Sequence, residues 1–208
     1  QALTQARQQQ AQVLLRQRGW PAESAQLLWN TLEPGYFLRH EPADIAWHAR
    51  QLMLHVGSPQ PIVRARPSLA GEGVQVLVYA PDTQDLFARI CGYFDQANLS
   101  ILHARIYTSP HGPALATFQV LPTQLEMDAR TLSSLIEARL PPALAAATPL
   151  PEPVRRQPSR RARSFPIPPH VSLEPDEKAK RWLLHISATD SAGLRYSIAR
   201  GQARHGPS

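Results

Sequence analysis

The stretch "LVYAPDTQDLFARICGYFDQANLS" carries two aspartates, Asp82 and Asp85, between a short apolar run and a helical pattern. Paired carboxylates invite general acid–base chemistry, which needs a nucleophile or second base within reach. The local sequence supplies neither, so catalysis is not expected there. The same pair can cap the helix that follows, and the turn can equally be a place where something small is sensed. A second acidic turn, "SATDSAGLRYSIAR", brings Asp190 and Gly193 before another helical pattern.

Other chemistry-bearing residues read as structural. His40, His48 and His55 are spaced by eight and seven residues, which on a helix leaves His48 and His55 two turns apart, too far to share one ion without other ligands. No HExxH and no His-Asp dipeptide occurs, and no metal is expected. Cys91 falls on an apolar helical stripe and reads as a small core residue rather than a nucleophile. As the single cysteine it excludes an internal disulfide and a thiolate zinc site, which points to a reducing cytoplasm. No apolar run approaches the roughly 18 residues of a membrane helix, and no signal-peptide pattern opens the sequence. Net charge is +6, with a pI near 10.1. Arg155, Arg156, Arg160, Arg161 and Arg163 supply most of that excess within a proline-broken stretch. Without interleaved aromatics, a solvated linker accounts for them better than phosphate binding.

The elements that must position these residues fall into three zones, and 21 prolines argue for compact pieces joined by linkers. Residues 1–58 are helical in pattern. Pro21 and Pro42 each suit a first helical turn, and Ile45, Ala49, Leu52, Met53 and Val56 form one stripe that Gly57 ends. The second zone opens with a strand at 74–80, then a helix at 85–98 with Phe87, Ile90, Cys91 and Phe94 on one face. A strand from Leu99 follows, with Leu102, Ala104 and Ile106 on one side and His103, Arg105 and Tyr107 on the other. A partner strand alternates Ala116, Phe118 and Val120 with Leu115, Thr117 and Gln119. Asp128 caps a second helix with Leu132, Leu135, Ile136 and Leu140 as its stripe, and "SFPIPPHVSLE" closes the series as an edge strand. Strand, helix, strand, strand, helix, strand is the split βαβ order of ferredoxin-like folds. One sheet face should carry the helices; the other, with His103, Arg105 and Tyr107, should stay open to a ligand or second copy. The third zone restarts the series with a strand at 182–188, the acidic turn and a helix stripe at Leu194 and Ile198. Two copies of one module about a hundred residues apart are expected, the second cut short at Ser208.

In order along nearly the whole chain, "YFLRHEPADIAWHARQL", "VYAPDTQDLFARICGYFDQANLSILHARIYTSPHGPALATFQVL", "RSFPIPPHVSLEPDEK" and "LLHISATDSAGLRYSIAR" resemble the C-terminal part of bacterial bifunctional PII uridylyltransferase/uridylyl-removing enzymes. The resemblance implies an α+β chain in three parts. These are a helical exit from a His-Asp phosphohydrolase domain (1–58), a ferredoxin-like βαββαβ ACT module (72–174, with a Pro/Arg-rich linker at about 148–164) and a truncated second ACT module (180–208). It implies a regulatory segment that senses glutamine, in an enzyme that places UMP on the PII nitrogen-signalling protein or removes it. In ACT modules the amino acid sits at the turn between first strand and first helix. A helix N-terminus favours its carboxylate and an aspartate can hold its ammonium group. The matching positions are Asp82, Asp85 and Leu86 in the first module and Asp190, Ala192, Gly193 and Leu194 in the second. Gly193 lets a ligand approach the backbone closely, which makes the second the better pocket; capping remains an equal alternative for Asp82 and Asp85. The implied partners are glutamine, PII and a neighbouring ACT module. The family's Gly-Ser and Asp-x-Asp signature that holds magnesium has no counterpart here, nor have the hydrolase's metal-binding histidines and aspartates. No cofactor and no catalysis by this chain alone are therefore expected. The competing class is a free-standing basic module binding nucleic acid or acidic protein through the arginine cluster, with steeply salt-dependent affinity; the ordered resemblance disfavours it.

Overall fold

The computed structural model describes residues 1–21, 23–69, 71–108, 112–123, 127–145, 170–176 and 181–187. The chain opens with α1 (Ala2–Gln17), α2 (Gln26–Trp29), α3 (Pro34–Arg39) and α4 (Pro42–Leu52), the last continuing into a 3-10 turn at Met53–His55. Pro34 and Pro42 open α3 and α4, where a missing N–H costs nothing. Pro21 opens no helix: Ser24 donates its N–H and its hydroxyl back to Pro21 O, a turn forms, and α2 starts at Gln26. The expected stripe of α4 is buried at Ile45, Ala49, Leu52 and Met53, and Gly57, at φ 82°, closes the segment.

The sheet comprises β1 (Ile62–Pro67), β2 (Val74–Ala80), β3 (Leu99–Tyr107), β4 (Ala114–Pro122), β5 (His170–Asp176) and β6 (Arg181–Ser187). Helix α5 (Leu86–Gln96) joins β2 to β3, and α6 (Ala129–Ala143) follows β4. All neighbours are antiparallel, in the order β1-β2-β4-β3-β6-β5. β4 thus lies between β2 and β3, the split arrangement that alternation and helix spacing predict. Asp128 accepts from Thr131 N at 3.3 Å and caps α6 as expected.

The sheet buries both faces at β2, β3 and β4. Val74, Val76, Val78 and Ala80 of β2 join Ile90, Cys91 and Phe94 of α5 and Leu132, Ile136 and Leu140 of α6 in one cluster. Leu77 and Tyr79, Tyr107 and Leu115 point the other way, into a second cluster with α1 to α4. Covered on both sides, β2 is a nearly unbroken apolar run rather than an alternating one. The face expected to stay open is therefore closed by the chain's own helical segment.

Three further positions differ from the sequence expectation. A register shift between Ile101 and His103 puts Ile101, not Leu102, beside Ala104 in the first cluster, because the bulge resets the two-residue period. β1 lies in a stretch of arginines and proline between the expected zones, yet it pairs with β2 along six residues. Its exposed edge is partly blunted, since Ala65 N donates to Glu137 Oε1 of α6 at 2.8 Å. The strand foreseen near the proline stretch is β5, at the opposite edge of the sheet; the position beside β2 belongs to β1.

The similarity between the two acidic stretches of sequence extends back into the strands before them. Ile62 faces Tyr79 and Pro67 faces Val74; 108 residues on, His170 faces Ser187 and Pro175 faces Trp182. The hairpins β1–β2 and β5–β6 share one register, and the same offset carries Asp82 to Asp190, Leu86 to Leu194 and Ile90 to Ile198.

Candidate functional site

β2 ends at Ala80, and the acidic turn follows at the same end of the sheet. Thr83 N bonds to Pro81 O at 2.9 Å and Leu86 N to Thr83 O at 3.2 Å, so the chain folds tightly before α5 starts. Asp82 is exposed and Leu86 is buried in the first cluster. Asp85 stands at the N-cap position, but its side chain makes no capping bond. Its Oδ2 instead accepts from Arg89 Nε at 2.7 Å, one turn along the helix, and Arg89 is itself only 6% exposed. The structure therefore brings together Asp82, Asp85 and Leu86. Asp190, Ala192, Gly193 and Leu194 lie outside the described residues, as do the arginines at 155–163. Cys91 is fully buried in α5. Among the described residues no group of three or more His, Cys, Asp or Glu is placed to hold a metal ion.

Behind the turn, the second cluster contains a polar seam between sheet and helical segment. Thr31 donates its only hydroxyl proton to Leu28 O at 2.7 Å, so Tyr79 Oη, 3.1 Å away, donates to Thr31 Oγ1. Tyr107 Oη is hydrogen-bonded to His40 Nε2 at 2.9 Å, and Tyr36 Oη to His48 Nδ1 at 2.5 Å. The ring centres of His40 and His48 are 5.2 Å apart, and Tyr36 meets Tyr107 edge-on at 5.4 Å. A buried phenol without a partner costs about 1–3 kcal/mol, so these bonds dictate which tyrosine faces which histidine. Two cations close over the seam: Arg105 Nη1 donates to Arg39 O at 2.5 Å, and Arg7 Nη1 donates to His40 O.

Burial sets the protonation of these groups. It lowers His40 to about 3, helped by the charges of Arg105, His103, Arg39 and Arg7. Burial also holds His48 well below the ordinary imidazole range, with His40 and Arg66 adding to the effect. Tyr36 is raised chiefly by burial; Tyr107 is raised to about 12 by burial against the opposing pull of Arg105 and Arg39. At neutral pH the seam holds two neutral imidazoles and three protonated phenols, Tyr79 too being raised by burial. Nothing here supplies a nucleophile; the arrangement is adhesive.

Sequence reasoning passed over Tyr36 and treated the histidines only as metal candidates. A signal was present for His48, which falls at helical spacing among Ile45, Ala49 and Leu52. For His40 none existed, because its partner Tyr107 lies 67 residues away, and Tyr36 is bonded to His48 on another helix.

Fold and site define a class: an α+β unit whose helical segment backs an antiparallel sheet, with an acidic strand-to-helix turn at one sheet end. Residues 1–51 match the family model of the uridylyltransferase GlnD fifth domain. The chain is 48% identical over 199 residues to bifunctional uridylyltransferase/uridylyl-removing enzymes of Burkholderia thailandensis, Burkholderia mallei and Burkholderia pseudomallei. That match covers 96% of this chain and 23% of each relative. The chain is thus related along nearly its whole length to the C-terminal region of these enzymes. It spans about a quarter of their length. No solved structure matches it. Among the described residues, no helix is long and apolar enough to cross a membrane.

Proposed function

We propose that this chain is the regulatory, glutamine-sensing segment of a cytoplasmic enzyme that uridylylates and deuridylylates the PII nitrogen-signalling protein. The observation that carries the reading is the 48% identity along 96% of the chain to enzymes named for both reactions. The topology supports the finer part. β2–α5–β3 around β4, with α6 after it and β1 in the remaining place beside β2, is a ferredoxin-like ACT module whose edge strand precedes the others in the chain. The hairpin in equal register, 108 residues on, leads a second module of the same kind. The pairing of β3 with β6 supports ACT–ACT association along one continuous sheet.

Both catalytic centres, and the magnesium of the nucleotidyl transfer, belong to other parts of the enzyme in this reading. The amino acid binds at the acidic turns. In the first module the N–H groups at the start of α5 face its carboxylate, and Asp82 with Asp85 receives its ammonium group. Asp85 then has to share or exchange Arg89, which makes that ion pair part of the binding equilibrium. Asp190, Ala192, Gly193 and Leu194 serve the second module, where Gly193 leaves the backbone open to the ligand. Calorimetric titration with L-glutamine tests the reading. Saturable binding is expected, weakened at least tenfold in a variant combining Asp82→Asn, Asp85→Asn and Asp190→Asn. Absence of binding by the wild type sinks it.

A further inference from the structure

The acidic turn and the helical segment are joined by a row of side chains across the sheet. Tyr79 of β2 is paired with Leu115 of β4, and Leu115 is paired on its other side with Tyr107 of β3. All three are at most 3% exposed and all lie in the second cluster, against α1 to α4. This row sits at the sheet end where β2 runs out into the turn: Tyr79 is followed by Ala80 and then by Pro81 to Asp85. Its phenols leave the sheet at two points. Tyr79 reaches Thr31 just after α2, and Tyr107 reaches His40 between α3 and α4, where Tyr36 and His48 continue the contact.

Alternation makes this connection stiff. Tyr79 and Ala80 are neighbours on opposite faces: Ala80 packs with α5 and α6, and Tyr79 packs with the helical segment. A displacement of the end of β2 therefore moves both layers at once. Close packing leaves little slack to absorb it, because the row is buried on every side.

We infer that the Tyr79–Leu115–Tyr107 row carries occupancy of the acidic turn to the helical segment. The inference rests on the reading of that turn as an amino-acid site. It places the output at residues 28–52 of the helical segment. Tyr79 and Tyr107 are positioning residues here, since neither touches the turn's ligand in this scheme.

Hydrogen–deuterium exchange on the intact protein that carries this chain separates the two readings, with L-glutamine as the probe. In the wild type, glutamine should slow exchange both in peptides covering 77–90 and in peptides covering 28–52. In a Tyr79→Phe, Tyr107→Phe variant the rings remain and the hydroxyl bonds go. Slowing at 77–90 should persist, while the glutamine-dependent slowing at 28–52 falls at least threefold. Thr31→Val removes the acceptor from the helical side without touching the sheet and should reproduce part of that loss. No glutamine effect at 77–90 in the wild type overturns the site reading, and the inference with it. An effect at 77–90 with none at 28–52, or an unchanged effect at 28–52 in the double variant, overturns the inference and leaves the site standing.

Discussion

The guanidinium carbon of Arg66 lies 3.9 Å from the ring centre of Trp47, and its Nη2 donates to Asp44 Oδ1 at 2.9 Å. Its Nε donates to Gln75 Oε1 at 2.9 Å. One side chain thus ties edge strand β1 to helix α4 and to its neighbour strand. Arginine suits the position because its planar fork stacks and bonds at once, which a lysine ammonium cannot do.

Replacing Arg66 should therefore loosen the helical segment from the sheet. Arg66→Lys is expected to cost about 1 kcal/mol and Arg66→Ala about 2 kcal/mol, allowing for partial exposure of the ion pair. Urea midpoints measure both. An alanine variant as stable as the wild type contradicts the role.

Glycines 73 and 57 should respond differently to alanine, although both have left-handed backbone, at φ 92° and 82°. A Cβ at Gly73 would stand 2.2 Å from Val120 O, whereas nothing lies within 4 Å of one at Gly57. Gly57→Ala carries only the conformational penalty, about 1 kcal/mol. Gly73→Ala adds a backbone collision beside β2 and should cost about 3 kcal/mol or more. Equal losses in thermal or chemical unfolding would contradict the close approach of Gly73 to β4.

Acid should weaken the fold through the seam. Burial lowers His40 to about 3 and holds His48 well below its ordinary value, while in the unfolded chain both titrate near 6.5. Below that pH the unfolded state binds more protons than the folded state, so stability falls as pH falls from about 6.5 toward 3. Each histidine contributes a slope of up to about 1.4 kcal/mol per pH unit. Urea unfolding at pH 7 and pH 5 should show the loss, reduced in His40→Gln. A pH-independent midpoint across this window contradicts neutral burial of the pair.

Much of the architecture was legible because it rests on local periodicity. The apolar run 74–80, the stripe Ile90, Cys91 and Phe94, the alternation from Ala114 to Val120 and the Asp128 cap each show their partners within a few residues. β1 was not legible, since its arginines and proline resemble a linker until β2 is placed beside them. Capping by Asp85 was a sound expectation from position, but a buried Arg89 one turn away competes for the same carboxylate.

The sequence by itself determined the helices and most strands of the central unit, the recurrence of an acidic motif and the relationship to uridylyltransferases, because repeated spacing and residue order survive in one dimension. Tertiary structure decided what lies against the sheet's second face, which strand fills the place beside β2, and that His40 meets Tyr107 across 67 residues. Such contacts depend on burial and hydrogen-bond satisfaction between distant segments, and no local pattern encodes them.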